Sequence, residues 1–349
     1  MNPRIVSVIA KVTERCNLNC KYCHLDKIKC KDMSKETLKS ILDNFSSKDG
    51  EYVHFNWSGG EPLLQGDLFF EEVNRLVTEK GANVDYSIQT NGVLLTDEKL
   101  EKLRKLNFNV GVSFDGTVGL HVKQRRVPEK VAKRIYETLK QRGRDMNNII
   151  SVLTRHGLGM EKEIYDNLKG LAKNASVNVY IPTGNGRKNS SELLASPKEM
   201  GNMLIKFYDL WSQDESNFML SPFTRILQSL VNPKGNHICE YSAEACNQVV
   251  GLDPEGNVYF CARATSDPNF YMGSLKTQSL DEILSNPIRE KVYERREELR
   301  KECNCEYFDI CNGGCPQEAA VNGDFFSKTY YCESRKMLFD YMVGSLKNE

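Results

Sequence analysis

The sequence predicts an α/β protein, a partial (β/α)6 TIM-like barrel followed by a cysteine-rich C-terminal domain. Two observations carry this expectation. Short apolar, β-branched runs alternate with amphipathic stretches through the first half of the chain, and the twelve cysteines fall into two well-separated groups. Regular strand-helix alternation implies a parallel sheet with right-handed crossovers.

The runs expected to be strands are residues 4–12, 52–57, 84–89, 110–114, 149–153 and 177–181. Residues 35–45, 68–80, 97–106, 129–142 and 161–174 carry apolar side chains at helical spacing with few breakers, and fill the gaps as helices. Six such units in about 180 residues fall short of the eight units and ~250 residues of a closed TIM barrel, so an open, partial barrel is expected. Residues 182–197, rich in Gly, Ser and Asn, mark its end. Beyond them, 200–211 and 222–231 read as helices, and 249–253 and 257–261 flank Pro254-Glu255-Gly256 as a hairpin. The expected division is a barrel at 1–195, a helical bridge at 196–238 and a cysteine-rich domain at 239–349.

Forty-seven Lys and Arg balance forty-seven Asp and Glu, so no net field favours nucleic acid or an anionic membrane. No segment approaches the ~20 apolar residues of a bilayer span, and the N-terminus lacks the order of a signal peptide. A cytoplasmic protein is therefore expected. In a chain of 349 residues without an export signal, metal ligation explains the cysteines better than disulfides do.

Cys16-Asn-Leu-Asn-Cys20-Lys-Tyr-Cys23 places three thiols within eight residues directly after the first strand, at the edge where parallel α/β structures carry their active sites. Three thiolates without a nearby fourth can hold three irons of a cubane and leave the fourth iron open to a ligand. A structural zinc site is the alternative, with His24 or Cys30 as fourth ligand, but zinc ligands are usually spaced in pairs.

With this triad the chain resembles the radical SAM superfamily. The resemblance implies a 4Fe-4S cluster on Cys16, Cys20 and Cys23 that binds S-adenosylmethionine (SAM) and cleaves it to a 5′-deoxyadenosyl radical. Gly59-Gly60-Glu61-Pro62, after the second strand, is similar to the family's methionine-binding motif; otherwise it is a turn. Tyr22 matches the residue whose backbone meets the adenine, and Ser113 a polar position near the SAM carboxylate or ribose. Arg125 is expected to pair with that carboxylate, with Arg126 and Arg134 as rivals. Gln89 is a weaker pocket candidate. Asp115 and His121 share the same edge and are candidate acid/base groups, or else a helix cap and a surface histidine.

The second group runs Cys239-x6-Cys246-x14-Cys261, then Cys303-x-Cys305-x5-Cys311-x3-Cys315-x16-Cys332. It resembles the SPASM extension of radical SAM maturases, which carries two auxiliary 4Fe-4S clusters. That likeness implies Cys239, Cys246, Cys261 and Cys315 on the first, and Cys303, Cys305, Cys311 and Cys332 on the second. A zinc ribbon is the alternative for this region. Cys303-Asn-Cys305 departs from the usual two-residue spacing, and Cys30 is left over.

The full-length likeness is to anaerobic sulfatase-maturing enzymes, which oxidise a protein Cys or Ser to formylglycine. Ala262, Leu25 and Ser58 stand where those enzymes have Asp, Tyr and Gln. The expectation drawn from these departures is a maturase that crosslinks a ribosomally made peptide through a C-C, ether or thioether bond. Sulfatase-type oxidation, epimerisation, a small-molecule substrate and a non-catalytic electron-transfer protein are the alternatives. The implied partners are the peptide, a separate leader-binding protein or residues 182–197 to read its leader, and a flavodoxin- or ferredoxin-type reductant.

Overall fold

Apolar alternation produces six parallel-type strands in a computed structural model that describes residues 5–25, 30–45, 52–232, 239, 245–265 and 267–347. These strands are β1 (Ser7–Thr13), β2 (Val53–Gly59), β3 (Val84–Thr90), β4 (Asn109–Ser113), β5 (Asn148–Leu153) and β6 (Asn174–Val179). Arg4, where the first run was expected to begin, lies outside the described residues. The expected helices follow as α1 (Lys35–Phe45), α2 (Asp67–Lys80) and α3 (Asp97–Lys105), with α4 (Val118–Arg125), α5 (Glu129–Arg142) and α6 (Glu161–Leu171) after them. In α2, Phe69, Phe70, Val73, Leu76 and Val77 form one buried stripe, and the helix stops at Gly81 in the left-handed conformation.

Two boundaries differ from expectation. α6 ends at Leu171 and β6 starts at Asn174, three residues before the apolar run, because pairing with β5 sets its register: Ile149 lies opposite Ala175 and Leu153 opposite Val179. α4 was not anticipated. Its eight residues include Gly119, but the Thr117 side chain caps it by accepting from the Leu120 N–H.

The chain groups into two compact units. One comprises Met1–Asn19, Leu25–Ser113 and Cys246–Glu290; the other comprises Cys20–His24, Phe114–Ala245 and Lys291–Glu349. In the first, β8 (Val249–Leu252) adds in parallel to β1, and β9 (Asn257–Tyr259) and β10 (Tyr271–Ser274) continue antiparallel, giving the order β10-β9-β8-β1-β2-β3-β4. The core under this sheet includes Val8, Ala10, Val12, Phe55 and Trp57, with the Phe55 and Trp57 rings stacked at 5.4 Å. In the second unit, β5, β6 and β7 (Met219–Ser221) run parallel.

Short helix α7 (Ser190–Leu193) ends the polar segment after β6. α8 (Pro197–Ser212) starts with a capping box between Ser196 and Glu199. It lies against the last helix, Cys332–Leu346, whose Ser334 hydroxyl bonds the Pro197 carbonyl. The two helices approach closely because position 201 has no side chain: a Cβ there would sit 2.8 Å from the Met337 sulfur. This packing fixes Cys332 at the start of the terminal helix. Among the described residues no helix is long and apolar enough to cross a membrane.

Candidate active site

The chain leaves β1 through Glu14 and Arg15 and reaches Cys16 without regular structure. Gly59-Gly60-Glu61 holds this stem. The Gly60 N–H donates to the Thr13 carbonyl at 2.8 Å and the Glu61 N–H to the Arg15 carbonyl at 2.8 Å. A Cβ at Gly59 would lie 2.3 Å from the Thr13 oxygen, and one at Gly60 2.1 Å from the Arg15 oxygen. Here, then, the absent side chains let the protein's own backbone approach.

The Glu61 carboxylate is fully buried. It accepts from the Thr90 hydroxyl at 2.7 Å, the Asn91 N–H at 2.8 Å and the Leu63 N–H at 3.1 Å, tying the ends of β2 and β3 together. The Asn91 amide in turn donates to Asn17 at 2.7 Å and lies 3.8 Å from the Cys16 sulfur. The Leu18 N–H lies 3.4 Å from the same sulfur. Two donors thus already face Cys16, an arrangement that favours its thiolate. Gln89 donates to the Ser113 hydroxyl at 3.0 Å, which brings those two candidates together.

Cys20 and Cys23 belong to the second unit, where the loop carrying them is held from several directions. The Tyr22 hydroxyl lies 2.9 and 2.8 Å from the two Asp115 oxygens. Arg125 donates to the same carboxylate through two nitrogens at 3.2 and 3.0 Å, and its guanidinium lies over the Tyr22 ring at 5.3 Å. The Asp115 and Arg125 side chains are 0% and 6% exposed, so this is a buried pair. Burial works against the Arg125 charge, but Asp115, Tyr22 and Cys20 more than offset it and hold the group protonated well above its ordinary range. Arg125 and Asp115 therefore have each other as partners.

The segment after β6 closes on the same loop. The Gly186 N–H donates to the Cys23 carbonyl at 2.8 Å, and the Asn189 amide to the Lys21 carbonyl at 2.7 Å. Glu192 pairs with the Lys21 ammonium at 2.5 Å. A Cβ at Gly186 would meet the Tyr22 carbonyl at 3.1 Å. These residues lie within 182–197, expected as a place where a leader peptide is read; their observed partners are on the cysteine loop. Asn91, Gly186, Asn189 and Glu192 were missed from sequence, since each reads locally as turn or surface.

His121 is fully buried, stacked on Phe114 at 4.7 Å, and its Nδ1 accepts weakly from the Asp115 N–H at 3.4 Å. Burial, then the Arg125 charge, push it down to about 3 against the pull of Asp115. It is a neutral ring at physiological pH.

Of the second cysteine group, Cys303, Cys305, Cys311 and Cys332 line one cavity, part of it open to solvent. Among the described residues no three His, Cys, Asp or Glu side chains converge as the ligands of a single metal ion would. These four thiols line one space together, and thiolates are the donors that hold iron-sulfur clusters. Both Cys303 and Cys305 face it, despite their unusual spacing. Burial pushes the Cys303, Cys311 and Cys332 thiols up, Lys328 pulls Cys303 and Cys332 down, and Arg335 pulls Cys311 and, to a smaller extent, Cys332 down. Cys246 and Cys261 belong to the first unit, Cys239 and Cys315 to the second. Among the described residues no two cysteines form a disulfide, and Cys30 is exposed.

Leu25 is buried, and Ser58 lies opposite Lys11 in the β1–β2 ladder. Ala262 packs on Gly251, where a Cβ would lie 2.5 Å from the Ala262 Cα.

Three predictions follow from this geometry. Gly60→Ala is expected to cost about 1–3 kcal/mol in a denaturant titration, because the new Cβ meets backbone that must move. Asp115→Asn, which strands a buried guanidinium, is expected to cost about 4 kcal/mol, whereas Tyr22→Phe, which spares the ion pair, costs about 2 kcal/mol. Because folding lowers the His121 pKa from 6.5 to about 3, the unfolded chain takes up that proton first as pH falls. Its contribution to stability is whole above pH 6.5 and is lost toward pH 3, by up to about 1.4 kcal/mol per pH unit. His121→Gln should flatten that part of the pH-stability curve.

A family model described as the radical SAM superfamily matches residues 10–185, half of the chain, and one described as an iron-sulfur cluster-binding domain, SPASM, matches residues 239–316. The cysteine-type anaerobic sulfatase-maturating enzyme of Clostridium novyi is 26% identical over 97% of this chain and 95% of its own. The serine-type enzyme of Bacteroides thetaiotaomicron is 27% identical over 96% of this chain and 90% of its own. Among solved structures, anSMEcpe with bound AdoMet and Cp18Cys peptide superposes with a TM-score of 0.84 at 24% identity, covering 99% of this chain and 98% of that one. The fold is thus α/β, with the parallel-strand core of a partial TIM barrel and a C-terminal SPASM domain. The chain belongs to the radical SAM superfamily, and is a SAM-dependent enzyme with 4Fe-4S clusters.

Proposed function

We propose that this enzyme oxidises a side chain in a peptide or protein substrate by two electrons, and that formylglycine formation of the anaerobic sulfatase-maturing type is its reaction. The observation that carries this reading is the match to the sulfatase-maturating enzymes along nearly the whole of both chains. It reverses the order of the two readings in the sequence analysis, where peptide crosslinking stood first.

In this reading Cys16, Cys20 and Cys23 hold the SAM-binding cluster. Cys239, Cys246, Cys261 and Cys315 hold the first auxiliary cluster, and Cys303, Cys305, Cys311 and Cys332 the second. When bound, SAM and its cluster supply a hydrogen-abstracting 5′-deoxyadenosyl radical, and the auxiliary clusters supply a sink for the second electron. The chain's own residues do the positioning. Gly59, Gly60 and Glu61 hold the stem before Cys16, Asn91 and the Leu18 N–H steady its sulfur, and Ser113 with Gln89 offers polar contact to SAM. Asp115 and Arg125 act on Tyr22 and through it on the cluster loop, rather than as acid, base or carboxylate clamp. His121 packs behind Asp115 as a neutral ring. A flavodoxin- or ferredoxin-type protein supplies the first electron.

Crosslinking within a ribosomal peptide is the second reading, favoured by Ala262 directly after Cys261, where sulfatase-maturing enzymes have Asp. Loss of that carboxylate removes a proton acceptor from the position. A separate leader-binding protein would belong to this second reading.

The test is anaerobic reaction of the reconstituted, reduced enzyme with SAM and a sulfatase peptide carrying the target Cys or Ser. The expected Cys product has lost two hydrogens, carries oxygen in place of sulfur, and reacts with a hydrazide. A product short of two hydrogens that forms no hydrazone supports crosslinking. Formation of 5′-deoxyadenosine with no change in any peptide overturns the peptide reading. The triple Cys16, Cys20 and Cys23 to Ala variant is expected to lose about four irons, one cubane's worth, and all SAM cleavage.

A further inference from the structure

The cavity lined by Cys303, Cys305, Cys311 and Cys332 has a buried cation in its wall. Arg335, 5% exposed, stands one helical turn after Cys332 on the terminal helix, so the two share a face. Its guanidinium is fixed from behind by Glu318, itself fully buried, whose two oxygens accept from one Arg335 nitrogen at 3.2 and 3.0 Å. Glu318 also accepts from the Thr329 hydroxyl, which anchors the carboxylate.

The guanidinium is a planar fork of five donors, so it can meet a carboxylate on one side and face a sulfur on another. Arg335 lines the same cavity as the Cys311 and Cys332 thiols. Lys328 and Lys336 also line the cavity, but both are exposed, and water and salt screen them. Of the three cations that line the cavity, Arg335 is the buried one.

We propose that Arg335 is a positioning and tuning residue that raises the reduction potential of the cluster held by Cys303, Cys305, Cys311 and Cys332. The physical basis is that adding an electron makes an iron-sulfur cluster more negative, and fixed hydrogen-bond donors and positive charge at its thiolates favour that state. Glu318 sets the size of the effect by holding the fork in place and offsetting part of its charge. The proposal rests on the assignment of these four cysteines to one cluster.

The test is an EPR-monitored redox titration of the reconstituted full-length protein, following the signal that disappears when Cys303 and Cys332 are both changed to Ala. Arg335→Met is expected to shift the equilibrium against reduction about tenfold, about 59 mV for one electron. Arg335→Lys, which keeps the charge but loses the fork, should fall between, and Glu318→Gln should shift the potential the other way. If Arg335→Met fails to load the cluster, the Lys and Gln variants decide by opposite shifts. Potentials unchanged in the loaded variants overturn the tuning role while leaving the ligand assignment intact. Full iron content after loss of Cys303 and Cys332 overturns the assignment itself.

Discussion

Two buried carboxylates, Glu61 and Asp115, hold a loop that has no helix or strand of its own. From Glu14 to Cys23 the backbone makes no regular ladder, so its shape must be imposed by neighbouring groups. Glu61 gathers the ends of β2 and β3 and, through Asn91, the region of Cys16. Asp115 receives Arg125 and the Tyr22 hydroxyl from the part that carries Cys20 and Cys23. A carboxylate buried this deeply is tolerable only when several donors satisfy it, and here the donors are the parts to be positioned. The same demand explains why the glycines at 59 and 60 admit no side chain: the stem they hold passes within contact of their Cα atoms.

What was legible in the sequence was whatever has a local period or a covalent spacing. The six strands and most helices follow from alternation and 3.6-residue periodicity, and Cys16, Cys20 and Cys23 lie too close along the chain to be scattered. What was hidden depends on partners distant in sequence. β8 adds in parallel to β1 across some 240 residues, and no local pattern announces such a pairing. Arg125 and Asp115 were each assigned to ligand or proton chemistry because a sequence shows two charges at one edge without showing that they face each other. His121 reads from sequence as an acid/base group or a surface histidine, and its burial on Phe114 is a tertiary fact that no local pattern shows.

The cysteine-rich region gives the opposite lesson. Its number of thiols was plain, while the short spacing of Cys303 and Cys305 departs from the pattern that places both on one cluster. The cavity puts both on one wall set with Cys311 and Cys332, since the turn after Cys303 and the start of the terminal helix bring distant thiols together.

The central claim is that the cluster on Cys16, Cys20 and Cys23 offers an iron to SAM. Its most direct test is the EPR spectrum of the reduced, fully loaded protein recorded with and without SAM. A saturable change in one cluster's signal is expected on adding SAM, with broadening when the SAM amine or carboxylate carries a magnetic isotope. A spectrum that SAM leaves unchanged, in protein with its full complement of iron, would contradict it.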